Sequence, residues 1–245
     1  SSLYEQIIVG DHWFEAKLEI RNPKTNALVG SYGEDKLFSI STNTQMLQTT
    51  FEIGNAPSAE INVKMVMPSE TIPTMAKLIP YVRICNSTQR SEWLMQGVFF
   101  IDTRERSVTQ TGEEILVLHG YDAMLKAEQM HSKVGTYTDA QLINSIARVG
   151  MGLKDGNGNA MVDPRTWDIV PSGGQYSYAV TPSYAMRDTL RNIASAYAGW
   201  FVVTETGYLR LISASEFPHE TNCLVNEDYD RVIFGTGGNA TRILV

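Results

Sequence analysis

Within the stretch HGYDAMLKAEQ, from His119 to Gln129, a histidine and the carboxylates of Asp122 and Glu128 lie within ten residues of one another. An imidazole beside a carboxylate is a minimal acid/base pair, because the carboxylate orients the ring and supports its charged form. Such a pair still needs a nucleophile or a metal. The chain has no GxSxG and no cysteine in an activating context, and His12, His119, His131 and His219 are scattered with no HExxH. The same residues serve equally as a corner between a strand and a helix. In EILVLHG, Ile115, Val117 and His119 share one face while Leu116 and Leu118 share the other, so burial on both sides is expected. Gly120 then gives freedom to turn, and Asp122 is placed to cap a short helix through the amides of Met124 or Leu125. A buried, hydrogen-bonded His119 without a catalytic role follows.

Other polar constellations are incomplete. In DGNGNAMVD, Asp155, Asn157, Asn159 and Asp163 take the first, third, fifth and ninth positions of a calcium-binding EF-hand loop, but Ala160 replaces the turn glycine and Thr166 the bidentate glutamate. Asn and Gly also simply favour turns, so a loop is the plainer reading. FGTGGNA, with Gly235, Gly237 and Ala240, fits GxGxxA, yet the chain ends five residues later, with no room for the helix and acidic residue of a dinucleotide site. Trp93, Phe99, Phe100, Trp167, Tyr176 and Tyr178 are candidates for a glycan surface, though scattered aromatics more commonly fill cores and turns. Cys85 and Cys223 stand 138 positions apart, outside any CxxC pattern, and imply neither a zinc site nor a disulfide framework. No catalytic or cofactor-binding residue is assigned, and no cofactor is expected.

The elements that must position these residues follow from hydrophobic period. From about Ile7 to Tyr121 the period is two: AEINVKMV sets Ile61, Val63 and Met65 against Glu60, Asn62 and Lys64, and KLFSIST, TTFEIG, PYVRIC, WLMQGVFFIDT and EILVLHG read as further strands. Helical spacing begins in TYTDAQLINSIARVG. There Thr138 and Gln141 form a capping box, and Leu142, Ile143, Ile146 and Val149 form a stripe that stops at Gly150. A second helix carries Met186, Leu190, Ile193, Ala194 and Tyr197 on its apolar face, Arg187, Asp188, Arg191 and Asn192 on its wet face, and ends at Gly199. Between them KDGNGNAMVDPRTWDIVPSGGQYSY reads as a long loop with one strand. Trp200–Thr204, a turn at Gly207 and Tyr208–Ile212 form a hairpin, and CLVNEDYDRVIFG and ATRILV read as strands. The fold class is α+β and mostly β. A barrel- or sandwich-like β-domain spans residues 1–121, a helical α/β insertion spans 122–199, and a hairpin opens a second β-domain over 200–245, which reads as truncated.

With 245 residues, 43% hydrophobic and 19% charged, the composition is that of a globular chain, and no apolar run approaches a membrane span or a signal peptide. The net charge of −7 and the lack of a Lys/Arg block argue against a surface that grips nucleic acid, though not against a channel that nucleic acid slides through.

The order of segments is more specific than any single motif. GVFFIDTRE (Gly97 to Glu105), GYDAMLK (Gly120 to Lys126) and the RDTLRNIA helix followed by a strand, turn and strand resemble, in this order, the tail hub proteins of long-tailed bacteriophages and prophages, also called baseplate hub or tail-associated proteins. The resemblance runs from about Phe38 to Ile212 and has no counterpart for the Asp155 to Gly174 loop. It implies a homotrimer in the virion tail, assembled in the bacterial cytoplasm, that joins distal tail or tail tube proteins to tail fibre or spike proteins around the DNA channel. It also implies two alternatives. One is the N-terminal anchor of a longer cell-wall hydrolase, and the other is a receptor- or glycan-binding baseplate module.

Overall fold

The computed structural model describes residues 7, 11–44, 53–108 and 112–214. The strands expected in CLVNEDYDRVIFG and ATRILV, the GxGxxA motif, His219 and Cys223 lie outside the described residues, as does most of TTFEIG. The chain forms two compact units: Ser1–Thr42, Ala59–Asp122 and Glu205–Gly207 make the first, and Asn43–Ser58, Ala123–Thr204 and Tyr208–Val245 the second. The boundary at Asp122 falls one residue from the expected end of the β-domain. The helices and the hairpin, expected as separate regions, share the second unit.

The first unit is built from β1 (Trp13–Arg21), β2 (Leu28–Tyr32), β3 (Leu37–Thr44), β4 (Ala59–Val66), β5 (Lys77–Cys85), β6 (Leu94–Met95), β7 (Phe99–Val108) and β8 (Glu114–Asp122). Hydrogen bonding follows the order β2-β1-β5-β7-β8-β4-β3, with β6 beside β5. The ladders from β2 through to β4 are antiparallel. The two strands at the ends of this path are consecutive in sequence, joined only by Gly33–Lys36. That link spans at most about 18 Å, whereas six strand spacings of a flat sheet measure about 29 Å. The sheet must therefore curl, and the expected barrel is its geometry.

Its interior follows from the alternation. Leu18 and Ile20, Ile61, Val63 and Met65, Leu78, Phe99 and Ile101, and Leu116 and Leu118 are all buried in one cluster, while Asn62 and Lys64 are exposed. Tyr32 enters this core with its hydroxyl donating to Glu70 Oε2 at 3.1 Å. Burial, reinforced by that carboxylate, pushes the phenol up to about 12. WLMQGVFFIDT is two strands rather than one. Gly97, at φ 148°, breaks it, and a Cβ there would fall 2.4 Å from the Phe99 ring. Pro80 lies inside β5, where its carbonyl accepts from Gln96 and so turns its own nitrogen the same way. That side is the gap between the β7 and β6 ladders, where a missing N–H breaks no ladder bond.

The second unit contains β9 (Gly135–Thr138), paired with β10 (Ser177–Val180), and the helices α1 (Asp139–Ser145), α2 (Thr166–Ile169) and α3 (Met186–Ala196), followed by the hairpin β11 (Gly199–Val203) and β12 (Leu209–Ser213). Thr138 caps α1 in the expected box with Gln141. The helix then widens into a π-turn over Ile146–Gly150, where the Met151 amide reaches the Ile146 carbonyl at 2.8 Å. One extra residue in the turn shifts the phase of the stripe, so Ala147 is buried and Val149, expected inside, is 64% exposed. The long loop holds the expected strand, β10, and an unexpected helical turn, α2.

On α3 the buried face is Met186, Leu190, Ile193 and Ala194, packed toward β11. The left-handed residue after it is Ala198, at φ 48°, and not Gly199. Gly199 is required for a different reason, since its Cβ would stand 2.3 Å from the Ile212 carbonyl oxygen of the partner strand. The 53–56 segment runs beside β11, with Gly54 N–H donating to Gly199 at 2.9 Å and Phe201 N–H to Asn55 at 3.0 Å. Those bonds explain why a piece of chain between β3 and β4 belongs to this unit.

Candidate functional site

The corner from His119 to Gln129 is a joint. His119 and Asp122 are three apart on β8, an odd separation, so they point to opposite faces of the strand. Asp122 is buried, and its Oδ2 accepts the Ala59 N–H at 2.9 Å, tying the end of β8 to the start of β4. His119 points outward and is half-buried, not buried as expected, with its ring edge-on to Tyr121 at 4.7 Å. Glu128 pairs with Arg187, whose Nε also donates to the Ala56 carbonyl at 2.7 Å. Each of the three expected acid/base residues thus has a different partner. Gly120 does not turn the chain. It stays in β8, where a Cβ would lie 2.4 Å from the Phe100 carbonyl oxygen, opposite the register shift between Ile101 and Thr103.

The calcium candidates also divide. Asp155 Oδ1 accepts the amides of Asn157 at 2.9 Å and Asn159 at 2.8 Å, and Oδ2 accepts the Asn159 side chain at 3.1 Å. These bonds, the Asn159 backbone amide foremost, hold its carboxyl below the usual range. Asp163 is instead gripped by the Arg165 fork at 2.9 and 2.7 Å. Among the described residues no three His, Cys, Asp or Glu converge as metal ligands.

Asp139, in the first turn of α1, carries no signal in the sequence for what it does. Fully buried, it accepts the amides of Ala140 (2.7 Å), Gln175 (3.1 Å) and Tyr176 (3.1 Å) and the Tyr197 hydroxyl (2.5 Å). It pins α1, the Gln175–Tyr176 segment leading into β10 and the end of α3 together. Burial and then this carboxylate push the Tyr197 phenol up. Three of its four donors come from 36 to 58 positions away, so no local pattern announces the role.

Among the aromatics, Phe99 and Phe100 are core. Trp93 lies under Arg83, whose guanidinium carbon is 4.3 Å from the ring centroid, with Lys17 at 5.1 Å. These cations belong to a paired network on the barrel wall. Glu15 binds Arg83 and Arg90, Glu19 binds Lys17 and Arg21, and the Arg83 hydrogen bond holds the Glu15 carboxyl below its usual range. Tyr176, 40% exposed, stands edge-on to Tyr197. Cys85 is buried at the end of β5, and burial pushes its thiol up.

A cleft of about 600 Å³ lies in the second unit, lined by the 131–137 segment, α1 with its π-turn, the 159–160 turn, Val180 and Met186. His131 sits buried at its edge with Nε2 2.8 Å from Thr189 Oγ1, and burial lowers its pKa. Nothing in this lining combines a nucleophile with a paired base.

The chain thus comprises an antiparallel β-barrel unit and an α/β unit, with Asp122, Asp139 and the Glu128–Arg187 pair each serving as a joint. No protein-family model and no curated protein sequence matches the chain. Among solved structures it is similar to the 43 kDa tail protein of prophage MuSo2 from Shewanella oneidensis, at 12% identity and TM-score 0.49, over 83% of this chain and 56% of that one. It is similar also to a tail protein from Neisseria meningitidis MC58, at 10% identity and TM-score 0.48, over 81% and 50%. A third is a Francisella PdpA–VgrG complex, at 7% identity and TM-score 0.43, over 82% and 31%. The chain spans about half the length of the first two structures.

Proposed function

We propose that the chain is a structural component of a phage or prophage tail tip: a trimeric hub that joins the tail tube or distal tail ring to fibres or spike, surrounds the DNA channel and has no catalytic chemistry of its own. The observation that supports this most is where the residues of the hub-like motifs sit. Gly97 opens β7 of GVFFIDTRE, Gly120 and Asp122 of GYDAMLK lock β8 to β7 and β4, and Arg187 at the head of the RDTLRNIA helix holds Glu128 and the Ala56 carbonyl. Motifs that record joints belong to a scaffold, and a scaffold family is what their order resembles.

Light scattering after size exclusion, over a range of concentrations and with a distal tail protein added, tests the reading. The expected result is a species of three times the 27.3 kDa chain mass. A monomer under every one of these conditions, or cell-wall hydrolysis that disappears in a His119→Ala variant, overturns it.

A further inference from the structure

We propose that the cleft of the second unit is a docking site for an acidic peptide segment of a protein partner, one that presents carboxylates beside an apolar side chain. This goes beyond the hub reading and does not depend on the chain forming a trimer.

Charge is the first argument. The chain carries 27 acidic and 20 basic residues, yet the cleft lining contains Lys133 and Arg148 and no acid. Elsewhere six described arginines, Arg21, Arg83, Arg90, Arg165, Arg187 and Arg191, are paired with carboxylates, and Arg104 donates to the Ile72 and Pro73 carbonyls. Lys133 and Arg148 are exposed and have no hydrogen bond or ion pair among the described residues. Two unpaired cations in a concave, acid-free lining attract an anion and focus its approach.

The helix that forms one wall supplies the second argument. Had α1 continued with α-helical spacing, Val149 would have joined the buried stripe. The π-turn instead turns Arg148 and Val149 out to the cleft, and such turns occur frequently at functional sites. The capping box adds a donor, because Gln141 Oε1 is held by the Thr138 amide at 3.0 Å and its NH₂ group is left for a ligand.

Apolar exposure decides the kind of anion. Val149 is 64% exposed in the lining, and Met130 (57%) and Val134 (69%) flank the lining residues His131 and Lys133 in sequence. A phosphate-rich glycan would leave these side chains without a partner. A peptide that alternates carboxylates with an apolar anchor satisfies both kinds of surface, and the cations lie on two separate segments, Lys133 before β9 and Arg148 in the π-turn, as contacts to successive residues of an extended segment require.

The test uses the full chain and a fluorescein-labelled octapeptide of alternating glutamate and leucine, read by fluorescence polarisation, with a glutamine-leucine peptide and inorganic polyphosphate as comparators. The glutamate peptide should bind, and the glutamine peptide about tenfold or more weakly. Joint Lys133→Glu and Arg148→Glu substitution should weaken binding about tenfold while leaving the melting temperature unchanged, since both side chains are exposed. Val149→Ser should weaken it about threefold. Equal binding of the glutamine peptide, no response to the charge reversal, or no binding at millimolar peptide overturns the proposal. Polyphosphate that displaces the peptide at equal charge, with Val149→Ser silent, replaces the peptide by a plain anion. A chain mass that falls on charge reversal replaces the foreign partner by a second copy. Either result overturns the assignment made here.

Discussion

A buried carboxylate that receives one backbone amide leaves that amide stranded when it is removed. Asp122 is such a group, since its Oδ2 satisfies Ala59 N–H at the start of β4. Asp122→Ala should lower stability in urea titrations by about 2–3 kcal/mol, more than the loss of an exposed cap, because a charge-assisted bond goes and a buried donor remains. Asp122→Asn, which keeps an acceptor, should recover part of this. His131 gives a pH dependence. Burial lowers its folded pKa, so the fold holds the ring neutral while the unfolded chain titrates near 6.5. Above that value both states are neutral and His131 contributes no slope. As pH falls below it, the unfolded chain binds a proton that the fold resists, and stability declines until the lowered folded value is reached. Urea midpoints measured from pH 7.5 down to 5 should fall more steeply for the parent chain than for His131→Gln, and identical slopes would show that His131 is not the group responsible.

Backbone geometry dominates at the level of the element. At Gly120 there is no room for a Cβ, and the neighbour is a carbonyl oxygen of the adjacent strand that cannot swing away. Gly120→Ala should therefore cost about 3 kcal/mol, read as a lowered thermal midpoint, by forcing β7 and β8 apart at their register shift. The opposite sign is expected after α3. Ala198 occupies the left-handed region, where a side chain is disfavoured by about 1–2 kcal/mol, and glycine gives back part of that in unfolded-state entropy. Ala198→Gly should raise stability by about 0.5–1 kcal/mol, and a lower midpoint would mean that the Ala198 methyl packs better than its backbone suggests. The π-turn after α1 belongs to the same scale, because one added residue per turn chooses which of Ala147 and Val149 faces inward.

For the molecule as a whole, the governing quantities are closure and charge. The four-residue link between the end strands rolls the first unit's sheet and brings its two edge strands, β2 and β3, toward each other. On the barrel wall Glu15 and Glu19 neutralise Lys17, Arg21, Arg83 and Arg90, and the chain carries −7 overall. A labelled DNA duplex titrated with the chain at physiological salt should show no binding tighter than about 10⁻⁴ M. Micromolar retention would contradict a role around a channel through which DNA must move freely.

Much of the architecture was legible because it depends on period and on local caps. The alternation in AEINVKMV and EILVLHG specified strands, the Thr138–Gln141 box specified the start of α1, and the turn at Gly207 specified the hairpin, all through interactions that span a few residues. What the tertiary structure decided depends on partners far apart in the chain. Asp139 became a knot only because Gln175, Tyr176 and Tyr197 fold back on it, and Gly120 and Gly199 proved to serve close strand approach and not chain reversal. His119 and Asp122 looked like a pair in sequence and were separated by the two faces of one strand. The cleft of Lys133 and Arg148 had no sequence signature at all, since an unpaired charge is defined by which carboxylates fail to arrive beside it. Periodicity is a property of neighbours along the chain and can be read there; close approach, burial and pairing are properties of neighbours in space, and only folding creates those.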